Sequence, residues 1–508
     1  MKKCIGSYTK TTVKNLNSAI QSPVIPKSEL LERRFIEIEE MVTSPNIKIQ
    51  KFIEPKLLDV ISPSIYKKAS LIFFKRLLVD LFSNNQRNLF DALIYFRMFV
   101  KQKLTLTPHN TIILDGFKSS FELGKTITSE IDKNLAGGEK GNDFAVESLK
   151  NYLKKRDGVE IPVEDICIAG SAKQSILQLF ECLHESNKTA VMLPNPKLVD
   201  VENMARFMDY QIYHYDLDEN DGWSLDTRAL KEILSKIVET NVQEITLVVE
   251  NPHRLTSNIM TEPEIANLFN TLKDVRINII VNETGCEDTY NANKWLSFSK
   301  HKEFLNDHKN IRMAIVTDLG LNGVGDYGIK SSFIQFFNFN EEVKGKFYRL
   351  LQGNGLNLPG HVFTYFYAQF MTGELKSKIH DTVYNALEQE YNSAKLQNEF
   401  RALGCKKFID ETPGLFIHDI KSGPYILARI DLPKNFVKEA EAKAIKPDEY
   451  FCLKLLEHQG YVIQPGHLFV SNADNYYLKM QILPFEHKEF LKIWNNITYF
   501  YESCVCNP

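Results

Sequence analysis

From Asn110 onward the chain alternates short apolar runs with longer stretches of helical spacing. The runs DICIAG, TAVMLP, EITLVVEN, INIIVNE and RMAIVTD each read as strands. They are separated by helical stretches of about 10 to 20 residues. Near-continuous apolar strands of this kind suit a sheet covered on both faces, because one-sided sheets show alternating polar positions. The pattern therefore predicts βαβ units and an α/β fold, with a mainly parallel sheet between helices.

The flanking regions differ. After Leu358-Pro359 a long helical region runs to about Leu403, followed by an α+β portion with strand-like YILARID and YYLKMQIL. Upstream, residues 1–28 are polar, contain Pro23 and Pro26, and read as a loose arm. Ser28 then caps a stretch with Leu31, Phe35, Ile38 and Met41 at helical spacing. Two strongly apolar helical stretches follow at 65–82 and 87–104, whose aromatic density reads as core packing. The expected organisation is a helical N-terminal extension (1–109), a large α/β domain (110–355, opening with segment 110–158), and a long helix with an α+β small domain (356–508). A chain of 508 residues is long enough for such a multi-domain body.

Formal net charge is −3, so no whole-molecule field argues for nucleic acid or a membrane surface. Residues 1–109 carry net +9 and the remainder net −12, the balance of a basic front end docked on an acidic body. The eight cysteines (4, 167, 182, 286, 405, 452, 504, 506) are scattered, and Cys504-x-Cys506 lacks the histidines of a metal site. Reduced thiols, a cytoplasmic setting and no bound metal are expected. The start MKKCIGSYTK has no apolar core behind its lysines and does not read as a secretory signal. No apolar run approaches the roughly 18 residues a membrane span needs.

Six blocks carry the chemistry. NTIILDGF (110–117) leads to KNLAGGEKGNDFAVESLKNYLKKRDG (133–158), a glycine before an amphipathic helix. IAGSAKQSILQLF (168–180) is a strand, a Gly-Ser turn and a helix; ENPHRLTSN (250–258) is a loop after a strand; IIVNETGCEDTY (279–290) is a strand end. IRMAIVTDLGLNGVGDYGIKSSF (311–333) is a strand, a glycine-rich turn and a second strand, and LLEHQGYVIQPGHLF (455–469) lies near the C-terminus. In this order the blocks resemble the class I/II aminotransferases, pyridoxal phosphate (PLP) enzymes of fold type I, over residues 110 to about 500. The resemblance implies the family's two-domain architecture and a dimer, homodimeric or paired with an aminotransferase-like partner.

What the resemblance implies for the site is unusual. The family's Schiff-base lysine corresponds to Asp318, preceded by Thr317, and neither can form an imine. The phosphate-clamping arginine corresponds to Asp326, and the aspartate that pairs with the pyridinium nitrogen corresponds to Asn282, followed by Glu283. A ring-oxygen tyrosine corresponds to Gly285, a loop asparagine to Arg254, and the substrate-carboxylate arginine to Lys479. Gly170, Ser171 and Ala172 match the turn that cups the phosphate, where Lys173 could assist; the same turn serves equally as a plain strand-to-helix connection. Ser297-Phe298-Ser299-Lys300 copies the lysine motif literally but precedes the strand, so Ser299 reads as a helix cap. Lys330 lies beyond the turn. His253 and His467 fall in loops bordering the family's pocket. The leading expectation is a protein without cofactor that binds, scaffolds or regulates. The alternatives are a repurposed enzyme using Asp318, Asp326, Glu283, Arg254 and Lys479 in one cavity, and a divergent PLP enzyme with a relocated lysine such as Lys300.

Overall fold

The computed structural model describes residues 143–185, 188–290, 295–319, 331–353, 358–461, 463–471, 475–481 and 487–502. The helical extension expected at 1–109, and Asp326, Lys330, Cys504 and Cys506, lie outside the described residues.

The first helix, α1 (Asp143–Asp157), leads into strand β1 (Ile166–Ala169) and helix α2 (Ala172–Leu183). Next come β2 (Thr189–Asn195), α3 (Val199–Phe207), β3 (Gln211–Asp218), β4 (Ser224–Leu225) and α4 (Thr227–Val238). They are followed by β5 (Glu244–Glu250), α5 (Glu262–Leu272), β6 (Ile277–Asn282), α6 (Lys302–Asp307), β7 (Ile311–Asp318) and β8 (Ser332–Phe337). The eight strands form one sheet in the order β1-β8-β7-β6-β5-β2-β3-β4. Pairs β3–β2–β5–β6–β7 are parallel, and β8 and β4 run antiparallel to their neighbours. This is the mainly parallel α/β sheet that the apolar runs predict.

The strands alternate their side chains between two covered faces. Ile279, Val281 and Ile315 join one core with α1, α4, α5 and α8 (Leu358–Thr372). Ile280, Ala314 and Val316 join another with α2, α3 and α7 (Glu341–Gly353). Every residue of β2, β5 and β6 is buried, so these strands need both helical layers. Local signals fix the helix starts. Ser171 caps α2 by accepting from Gln174 N, and Thr261 with Glu264 makes a capping box on α5.

The helical region after Leu358 is two helices. α8 stops at Thr372, where Gly373 turns left-handed (φ 83°) into a short 3-10 turn, and the His380 side chain then caps α9 (Asp381–Asp410). α9 runs beyond the expected end at Leu403. It leads to β9 (Leu415–Phe416), β10 (Tyr425–Ile430), α10 (Lys434–Ala442), α11 (Pro447–Gln459), β11 (Gln464–Pro465), β12 (Tyr476–Gln481) and α12 (His487–Phe500). The four strands form an antiparallel sheet, β11-β12-β10-β9, packed through Ile426, Leu478 and Met480 on Phe451, Leu455 and Trp494. Among the described residues no helix is long and apolar enough to cross a membrane.

The two sheets are tied by reciprocal hydrogen bonds. Lys421 N donates to Ser257 Oγ (2.7 Å) and the Ser422 hydroxyl to Ser257 O (3.1 Å). Tyr290 N donates to Lys421 O (2.8 Å) and Gly423 N to Asp288 O (3.0 Å). Ser471 N donates to Asn195 Oδ1 (2.9 Å), and Asn195 Nδ2 returns a bond to Ser471 O (3.2 Å).

Gly466 is required by close approach: a Cβ there would lie 2.3 Å from Tyr477 Cβ and 2.5 Å from its carbonyl oxygen. Gly466→Ala is therefore expected to cost about 1–3 kcal/mol through backbone displacement, read as a lowered midpoint in denaturant unfolding.

Candidate functional site at the strand ends

Parallel pairing brings the C-terminal ends of β2, β5, β6 and β7 to one edge, so Asn195, Glu250, Asn282 and Asp318 meet there. β1 ends on the same edge because β1 and β7 both run antiparallel to β8. The Gly170-Ser171 turn then starts α2, whose first N–H groups are free for an acceptor. The acceptor is internal: Ala172 N donates to Asp318 Oδ2 at 3.0 Å. Asp318 is held from behind by its own N–H, which donates to Thr284 Oγ1 (3.2 Å). Neighbouring Thr317 is buried, and its hydroxyl has no hydrogen-bond partner. Lys173 turns to solvent and pairs with Asp200 at 2.9 Å.

Asn282 spends both ends of its amide inside the protein. Nδ2 donates to Glu250 Oε1 (3.1 Å), and Oδ1 accepts from Thr284 N (3.2 Å). Glu250 is buried and also accepts from Arg254 N (3.4 Å). It was overlooked in the sequence, where Glu-Asn-Pro after an apolar run reads as an ordinary strand exit. Gly285 sits at φ 88°, a left-handed conformation that a tyrosine would adopt only under strain.

His253 is buried with both ring nitrogens engaged: Nδ1 accepts from Thr256 N (3.2 Å), so Nε2 carries the proton and faces Pro196 O at 3.2 Å. Burial pushes its pKa down, keeping it neutral. His467 bonds through Nδ1 to Asp448 (2.9 Å) and orders the turn containing Gly466.

Two cations remain without an anion. The half-buried Arg254 side chain and Lys479 form no ion pair among the described residues. Lys479 Nζ lies 4.4 Å from the Tyr425 ring centroid and 4.9 Å from that of Phe469. Burial, and then the positive charge of Arg254, push Lys479 down to about 8, against the opposing pull of Asp200 and Glu250. A half-buried pair of uncompensated cations suits an oxyanion.

Glu283 has partners other than Arg254 and Lys479. Its fully buried carboxyl accepts from the Ser297 hydroxyl (3.0 Å), Phe298 N (2.8 Å) and Arg156 Nη2 (3.5 Å). The expected cap role of Ser299 belongs instead to Ser297, which accepts from Ser299 N; the Ser299 hydroxyl donates to Asp157 Oδ2 at 2.9 Å. The literal Ser-Phe-Ser-Lys motif thus cradles two buried carboxylates, and Lys300 is exposed. Among the described residues no group of His, Cys, Asp or Glu could hold a metal ion.

Comparison with known proteins agrees with this architecture. The family profile "Aminotransferase class I and II" matches residues 127–302. The mitochondrial alanine aminotransferase 2 of Arabidopsis thaliana is 23% identical over 95% of this chain and 93% of its own length. A Saccharomyces cerevisiae protein named inactive alanine aminotransferase is 22% identical over 66% of this chain and 67% of its own. Among solved structures, alanine aminotransferase from Pyrococcus furiosus superposes with a TM-score of 0.60 at 17% identity, covering 75% of this chain and 88% of that one. The chain thus shares the fold of solved aminotransferases, and its segment 127–302 is similar to the class I/II aminotransferases.

Proposed function

We propose that this chain keeps the aminotransferase fold without lysine–PLP catalysis and serves as a binding, scaffolding or regulatory subunit. The observation that carries this reading is the 3.0 Å hydrogen bond from Ala172 N to Asp318 Oδ2. In this fold family that N–H belongs to the phosphate cup, and residue 318 matches the imine-forming lysine. One carboxylate therefore removes the nucleophile and fills the anion position with negative charge. Two like charges about 4 Å apart repel by roughly 1 kcal/mol in water, and by several times more in a partly buried site. Asn282, bonded to Glu250, supplies no charge for a pyridinium nitrogen. These residues do not fit PLP.

Arg254 and Lys479 give the cleft a different use, as a site for a small carboxylate. The subunit would work as a homodimer or beside an aminotransferase-like partner, with the basic segment 1–109 as a contact surface. That a relative carries the name inactive alanine aminotransferase accords with a non-catalytic role. Acid–base chemistry in the cleft is disfavoured, because both nitrogens of His253 are engaged and Glu283 faces Ser297.

The native protein is expected to be colourless and to show no added mass after borohydride treatment. A yellow sample that bleaches and gains a reduced pyridoxyl group would overturn the proposal. Removing an uncompensated half-buried cation relieves repulsion, so Lys479→Met is expected to raise the thermal midpoint. The same change is expected to abolish stabilisation by succinate, measured by differential scanning calorimetry with and without the anion.

A further inference from the structure

Beneath the cleft lies a second group of charges that the proposed function does not use. The Arg156 guanidinium grips Asp157 with Nε and Nη2, each at 2.7 Å, and reaches Glu283 at 3.5 Å. It lies over the rings of Tyr152 (5.6 Å) and Trp295 (5.0 Å). Side-chain exposure is 11% for Arg156, 1% for Asp157 and 0% for Glu283. One guanidinium thus faces two carboxylates with almost no water, leaving an excess negative charge unless a proton is bound.

Among the described residues the surroundings do not supply the missing positive charge. From α1 come Tyr152, Arg156 and Asp157; from the loop after β6 come Cys286, 3.7 Å from Arg156 Nη1, and Glu287, which accepts from the Tyr152 hydroxyl. From the segment before α6 come Trp295, Ser297 and Ser299, and from α8 comes Tyr367, its hydroxyl 3.4 Å from that of Tyr152. Arg156 is the one cation among these neighbours.

We propose that Arg156, Asp157 and Glu283 form a proton-operated latch. With one proton bound to the carboxylates it fastens the end of α1 and the 283–290 loop to the sheet, and release of that proton to solvent loosens both. The loop carries Asp288 O and Tyr290 N, which hold the 421–423 corner of the small sheet. Protonation of the latch therefore governs how firmly the two sheets are docked.

Burial, opposed by Arg156 and reinforced by Asp157, pushes Glu283 from an ordinary 4.5 up to about 8. Between those values the folded chain holds a proton that the unfolded chain has released. Stability is therefore complete below 4.5 and falls as pH rises towards 8.

The test follows Trp295 fluorescence, thermal midpoint and amide exchange at 283–290 and 421–423, corrected for intrinsic rate, across pH in the full chain. Wild type is expected to lose thermal stability steadily from about pH 4.5 to about pH 8 and level off above, and to exchange several-fold faster as pH passes through about 8. Glu283→Gln should flatten all three profiles. Ser297→Ala removes a donor to the ionised carboxyl and should move the midpoint to higher pH, a change that a purely structural role would not produce. A wild type without a transition, a transition that persists in Glu283→Gln, or an unmoved midpoint in Ser297→Ala would each overturn the latch.

Discussion

Burial of the central strands on both faces is the constraint from which the rest follows. β2, β5 and β6 expose no residue along their length, so the polar groups open to a ligand lie at the strand ends. Parallel pairing then gathers those ends on one edge, beside the start of α2. There Asn282 meets Glu250, Asp318 meets the start of α2, and Thr284 touches both Asn282 and Asp318. A change at any of these positions is felt by the others, because the sheet offers nowhere else for a buried polar group to turn.

The edge is unevenly compensated. On one side, Asp318 is matched by Ala172 N–H and Thr284, and Asn282 by Glu250 and Thr284. On the other, Lys479 lies against the Tyr425 and Phe469 rings, repelled by Arg254 and attracted by Asp200 and Glu250, and neither cation forms an ion pair among the described residues. Internal partners close the first side against an anion; the second side stays open to one.

The architecture was legible in the sequence because it rests on periodicity. Each apolar run marked at the outset became a strand, and the mainly parallel arrangement followed from the absence of alternation. The helix break at Gly373 was less visible, since one glycine in an apolar stretch does not announce a left-handed turn. The site was legible only as positions. Asp318, Asn282, Arg254 and Lys479 could be picked out by order and spacing, but their partners come from other strands. Glu250 drew no attention although it fixes Asn282. Arg156 and Asp157 sit in Lys-Lys-Arg-Asp-Gly, the composition of a solvated helix end, and their burial depends on Trp295 more than a hundred residues away. In the four-residue copy of the lysine motif at 297–300 the serines were conspicuous in the same way, and their carboxylate partners were not.

The bond between Asn282 and Glu250 makes the present arrangement hard to reverse. At 3.1 Å the amide of Asn282 donates to Glu250 Oε1 in a site that excludes water. An aspartate at 282 would instead set two carboxylates against each other, and one would be driven to take up a proton. A carboxylate therefore cannot be accommodated at that strand end by a single replacement while Glu250 remains. Each residue holds the other in place, so a replacement at 282 is at once a change in the surroundings of Glu250.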